Sequence, residues 1–232
     1  MNSTLTNTKW VANAPEQSPA EDHRVTVVRF VAHLISALFH PLFIPLYVVG
    51  FFLYLHPSYF SGFGRYEKAS LLYATLLNTV FFPLLSVLLM KGLGFIRSVF
   101  LQTRRDRIAP YLAAMIFYFW AAWVYFKFEP SLAPVFPTFM TGIMITTVVG
   151  LLSNIYFKIS MHAMGVGGML GIFLIVMKSN TILMTWPLCL ALLITGLVCT
   201  SRLIISDHST REIYWGLVAG LLCQFGAALF LL

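Results

Sequence analysis

Charge is what this sequence has least of. Only 10% of its 232 residues are Asp, Glu, Lys or Arg, against about 25% in an ordinary soluble domain. A soluble fold of this size needs such residues to cover its exterior, and this chain is 59% apolar instead. Cysteine is scarce as well. Cys189, Cys199 and Cys223 sit in apolar runs, and no pair has metal-ligand spacing. They read as buried thiols, not as a zinc or redox site. No basic start leads into an apolar core and a small-residue cleavage site, so residues 1–25 read as a polar tail, mobile or lying on the surface, and not as a signal peptide. The apolar runs do not alternate with polar residues, which argues against an outer-membrane barrel. No internal repeat is visible.

What is present is length of apolar run. Mean hydropathy is +0.84. Seven stretches approach the length a spanning helix needs, at 26–55, 69–90, 110–126, 136–157, 163–177, 181–201 and 213–232. Inside a bilayer the backbone must satisfy its own polar groups, so these stretches read as helices. The expected fold is all-α: a polytopic transmembrane helix bundle of about six to seven membrane helices, forming one domain over 26–232. Trp120, Trp123, Tyr125 and Trp215 fall near helix edges, as interfacial belts do. The first stretch is long and holds Pro41 and Pro45, which can break it in two. Its first half carries Arg29, His33, Ser36 and His40 at helical spacing. That stripe reads as interfacial or packed on a neighbouring helix, with a polar cavity as the less favoured alternative; His33, His40 and His56 are accordingly read as structural. The glycines at 165, 167, 168 and 171 suit either close helix packing or close approach of backbone to a ligand.

Because intramembrane charge is costly, the placement of the few charges is informative. Three loops hold most of them: Arg104–Pro110, Lys158–Gly165 and Ser201–Glu212. Two apolar segments separate the first loop from the second, and two more separate the second from the third. An even number of crossings returns the chain to the same face, so all three loops should converge there. Arg104, Arg105, Arg107, Lys158 and Arg202 then meet His162, His208, Asp106, Asp207 and Glu212. Guanidinium forks suit phosphate oxygens, and histidines exchange protons near neutral pH. The net charge of +7 thus points to membrane topology and an anionic ligand, not to nucleic acid. The same face carries most of the Lys and Arg residues, which the positive-inside rule would assign to the cytoplasm.

The third loop reads Ser201-Arg202, five residues, His208, three residues, Glu212. This resembles the third signature of the type 2 phosphatidic acid phosphatase superfamily, SR, five residues, H, three residues, D, with Glu212 in place of the aspartate. The second loop is similar to that superfamily's PSGH signature: Ser160 and His162 match, while Ile159 and Met161 replace the proline and the glycine. Arg104, Arg107 and Pro110 are the nearest equivalents of its first signature. The resemblance covers Arg104 to Glu212. It departs in carrying about two helices before the first motif and two apolar segments between the first and second.

The resemblance implies a lipid phosphatase working through a phosphohistidine, and the residues suit that chemistry. His208 would be the nucleophile. Glu212, four positions on and on the same helical face, would fix its tautomer. His162 would protonate the leaving oxygen. Arg202, Arg107, Arg104 and Lys158, with Ser160, Ser201 and the Gly165–Gly168 backbone, would hold phosphate oxygens. No metal or other cofactor is expected. The implied substrates are membrane lipids of phospholipid, polyprenyl phosphate or lipid A type, and the implied location is a bacterial inner (cytoplasmic) membrane. The alternative is a non-catalytic lipid-binding or transport protein on the same scaffold.

Overall fold

The computed structural model describes residues 19–56, 59–96, 98, 103–128, 131–179, 181–205 and 208–232. Most of the polar tail, 1–18, and the candidate carboxylate Asp207 lie outside the described residues. Among the described residues every regular element is a helix. Helices α1 (Pro19–Leu38) and α2 (Ile44–Tyr54) are followed by α3 (Arg65–Leu76), a π-helical turn over Leu77–Phe81, and α4 (Phe82–Gly92). Then come α5 (Arg104–Phe126), α6 (Val135–Tyr156), α7 (Met161–Ser179), α8 (Thr181–Ile204) and α9 (Thr210–Leu231).

Among the described residues six helices are long and apolar enough to cross a membrane: the continuous Arg65–Gly92 rod and α5 to α9. The distribution of side chains agrees with a lipid exterior. Leu89, Ile116, Leu193 and Leu222 face outward, while Thr75, Thr79 and Gln224 are fully buried. Water would favour the reverse. The chain is therefore an integral membrane protein built as a helical bundle.

The first apolar stretch does not cross as one helix. Pro41 has no N–H, and proline disfavours helical backbone in the residue before it. α1 accordingly stops at Leu38, and α2 restarts at Ile44 with Pro45 in its first turn. With 11 residues, α2 is about 16 Å long, half of a bilayer core. It runs beside α7: Ile44 lies against Gly165, and Phe52 meets Phe173 edge-on, with ring centroids 5.7 Å apart. α1 begins earlier than the apolar pattern suggests, at Pro19, because proline suits a first helical position.

Pro83 has a similar effect within the third rod. Lacking an N–H, it cannot bond the carbonyl four residues back, and the wider π turn just before it absorbs the misfit, with Phe82 N–H donating to the Leu77 carbonyl. Two readings of single residues change. Tyr125 is buried and its hydroxyl bonds Thr75, which ties α5 to α3; it is not a belt residue. Cys189 is exposed on the outer surface of α8 and only Cys223 is buried, so the thiols are free but not uniformly inside.

Candidate active site

α7 makes its widest contact with α9, and the reason is glycine. Gly167 and Gly171 on α7, and Gly216 and Gly220 on α9, are each spaced by four residues, so each pair lies on one helical face. A Cβ on Gly216 would stand 2.7 Å from the Ser160 carbonyl oxygen. One on Gly220 would collide with the Met164 carbonyl, and one on Gly167 with that of Leu217. Contacts climb in step, Gly216 near Ser160 and Gly220 near Met164 and Gly168, so the helices run parallel. Both N-termini therefore end side by side, with their partial positive charges on one face.

His162 is the second residue of α7, and His208 stands two residues before α9. Ser160 caps α7, its Oγ accepting from Ala163 N–H at 3.4 Å. Ser209 caps α9 through a capping box with Glu212, whose backbone N–H donates to Ser209 Oγ while its carboxylate accepts from Ser209 N–H. The same carboxylate oxygen lies 2.8 Å from His208 Nδ1. One glutamate thus caps the helix and holds the imidazole. Nδ1 carries the proton in this contact, which leaves Nε2 as the basic nitrogen. Burial lowers the pKa of His208; the Glu212 bond opposes this, and the charges of Arg202, Arg107 and Lys158 add to the lowering.

The cations divide by role. Arg107 is buried, and its guanidinium donates to the Ile159 carbonyl at 3.2 Å. Arg104, three residues earlier, is exposed and donates to the Ile155 and Tyr156 carbonyls, capping the end of α6. Asn154 returns the contact by donating to the Arg104 carbonyl at 2.8 Å. Arg104 thus joins α5 to α6, and Arg107 is the guanidinium that enters the cluster. Lys158 is half-buried and its charge acts on His208. Ser201 is buried and donates to Leu197 within α8, one position before Arg202.

The α1–α2 joint adds residues outside the three loops. Because α1 ends early, His40 N–H bonds the Ala37 carbonyl and not the Ser36 carbonyl. The Ser36 oxygen, one of the carbonyls a helix end leaves over, meets His162 Nε2 at 3.1 Å. A carbonyl only accepts, so His162 carries a proton on Nε2 and keeps its lone pair on Nδ1. Ser36 Oγ accepts from Arg202 at 2.9 Å. The His40 ring stands edge-on to His162, with centroids 5.2 Å apart. Arg202 is close enough that its charge acts on all three imidazoles. The polar stripe of α1 therefore divides: Arg29 and His33 are exposed, while Ser36 and His40 turn inward.

Below the cluster lies an apolar cavity of about 440 Å³. His40 and Arg107 are on its wall, Pro83 and Leu88 line one side, and Gln224 is among its deeper residues. The polar cluster and the apolar cavity meet at His40 and Arg107.

Sequence reasoning read Ser36 and His40 as interfacial or packing residues, with a polar cavity only as the less favoured alternative, and passed over the Gly216–Gly220 pair. The last had a visible signal, a GxxxG spacing on α9 that repeats the spacing on α7. Comparison with known proteins adds no relative: no protein-family model, curated protein or solved structure matches the chain.

Proposed function

We propose that this protein is a membrane-bound phosphatase that hydrolyses a lipid phosphate or diphosphate through a phosphohistidine, without a metal. The observation that carries the reading is the His208–Glu212 contact at 2.8 Å, set among three cations and two parallel helix N-termini. A carboxylate that holds Nδ1–H leaves Nε2 free to attack phosphorus, the arrangement nucleophilic catalysis requires. Arg107 and Arg202 supply fixed positive charge for the equatorial oxygens.

In the first step the Nε2–P bond forms and the bond from phosphorus to the lipid oxygen breaks. The electron pair stays on that oxygen. His162 is neutral with its proton on Nε2, so the proton this oxygen takes is the one a phosphate monoanion brings: His162 Nδ1 accepts it from the bound phosphate and passes it to the leaving oxygen. In the second step water attacks the phosphohistidine, His162 Nδ1 accepts its proton, and inorganic phosphate leaves. The apolar cavity beside Arg107 supports a lipid substrate, because an anionic head bound at the guanidinium places its first carbons at an apolar opening. Phospholipid, polyprenyl and lipid A phosphates all have that form, and the bacterial inner membrane, which contains such lipids, is the location we propose.

The test is phosphate release by the detergent-purified protein from a panel of these lipids, with and without EDTA. Wild type should turn over at least one lipid, EDTA should leave the rate unchanged, and His208→Ala should fall to background. Equal rates for wild type and His208→Ala would refute the enzyme. Binding of a phospholipid with no turnover would favour the lipid-binding or transport alternative.

A further inference from the structure

Three imidazoles meet in this cluster, and the mechanism above uses two. His208 is held by Glu212 and His162 by Ser36. His40 is held differently. Leu42 N–H donates to His40 Nδ1 at 3.3 Å, so Nδ1 is an acceptor and the neutral ring carries its proton on Nε2. Among the described residues no hydrogen-bond acceptor meets that Nε2. The ring lies edge-on to His162 and on the cavity wall with Arg107. It therefore stands at the junction of the polar cluster and the apolar cavity, where the oxygen joining phosphorus to a lipid must sit.

We propose that His40 is a substrate-touching residue, whose Nε2–H donates a hydrogen bond to the oxygen that links the phosphoryl group to its lipid. This rests on the phosphatase reading. His40 transfers no proton: the P–O bond breaks, the pair collects on the linking oxygen, His162 protonates it, and His40 stabilises the charge as it grows. A group in this role has to stay neutral, since an imidazolium would compete with His162 as the acid. The site provides for this. Burial and then the Arg202 charge push His40 down to about 4. His162 reaches it from α7 and Arg202 from α8, and His208, just before α9, acts in turn on His162. The backbone around His40 is fixed by Pro41, which lies 3.3 Å from where a Cβ on Gly165 would be. The donor is therefore fixed in place before substrate arrives, as electrostatic stabilisation of a transition state requires.

The experiment compares two leaving groups in wild type, His40→Phe and His40→Gln. Phosphatidate leaves as an alkoxide that needs stabilisation; p-nitrophenyl phosphate leaves as a phenolate that needs little. Phe keeps a ring to pack against His162 but has no donor, while Gln keeps a neutral N–H donor without the ring. For phosphatidate, His40→Phe should lower kcat by on the order of 10²-fold with KM little changed, because a bond that strengthens in the transition state appears in kcat. His40→Gln should recover at least about tenfold of that loss. For p-nitrophenyl phosphate both variants should stay within about threefold of wild type, which also reports that they are folded. Equal losses on both substrates, or rescue by Phe and not by Gln, would make His40 a packing residue and overturn the assignment. Where another lipid phosphate of the panel is the one turned over, it replaces phosphatidate in the comparison; a wild type that hydrolyses neither p-nitrophenyl phosphate nor any lipid of the panel would overturn the phosphatase reading and this role together. A wild type active on both, with variants unchanged, would overturn the role of His40 alone.

Discussion

At the scale of single residues, the site depends on which nitrogen of each imidazole is free. Glu212 settles this for His208. Glu212→Gln keeps the capping geometry and an oxygen that can accept the imidazole proton, but removes the carboxylate charge that stabilises positive charge on the ring as the Nε2–P bond forms. We expect a loss of about 10²- to 10⁴-fold in kcat, by analogy with the orienting carboxylate of hydrolase triads, with helical content by circular dichroism unchanged. The pH profile provides a second test. On the phosphatase reading His208 attacks only when neutral, so activity should fall as pH drops through its pKa. That pKa is lowered, first by burial and then by Arg202, Arg107 and Lys158, against the opposing Glu212 bond. The acid limb of kcat/KM should therefore lie below the ordinary histidine value of about 6.5. Lys158→Gln removes a charge that disfavours the imidazolium, so it should move this limb to higher pH. An unmoved or lowered limb would show that Lys158 does not act on the nucleophile.

At the scale of helices, the glycine seam between α7 and α9 places the histidines. Gly220→Ala forces a methyl against the Met164 carbonyl, whereas Gly226 has nothing within 4 Å of an added Cβ. Gly220→Ala should therefore cost about 1–3 kcal/mol, read as a lower Tm in detergent, and should lower activity; Gly226→Ala should change neither. The seam also shows what the sequence could and could not reveal. Apolar runs located the spanning helices to within a few residues, and counting crossings brought Arg107, Lys158, His162, Arg202 and His208 to one face. Hydropathy underestimates the helices at their polar first turns. α5 starts at Arg104, α7 at Met161 and α9 at Thr210, each ahead of its apolar run, because Thr103, Ser160 and Ser209 cap them. The roles of Ser36 and His40 were not legible in advance. They depend on where Pro41 ends α1 and on how α1 packs against α8, which is a tertiary contact with no local sequence pattern.

At the scale of the whole molecule, six spanning helices carry lipid-facing Leu, Ile and Phe outside and a few buried polar residues inside, and their ends hold a charged cluster over an apolar cavity. On the reading proposed above, this arrangement would bring a lipid head to fixed cations while its chain stays out of water. It also gives the protein a defined sidedness. The Ser209 position, exposed beside His208, can be labelled as Ser209→Cys from one side of sealed vesicles only, in a background where Cys189, Cys199 and Cys223 are replaced by serine or alanine. Labelling from both sides would contradict a single site face. The most direct test of the account is to trap the intermediate. Protein quenched in alkali during turnover of lipid carrying ³²P in its phosphoryl group should hold an alkali-stable, acid-labile label, mapping to the peptide that contains His208 and absent from His208→Ala. Turnover with no such label, or the same label in His208→Ala, would contradict it.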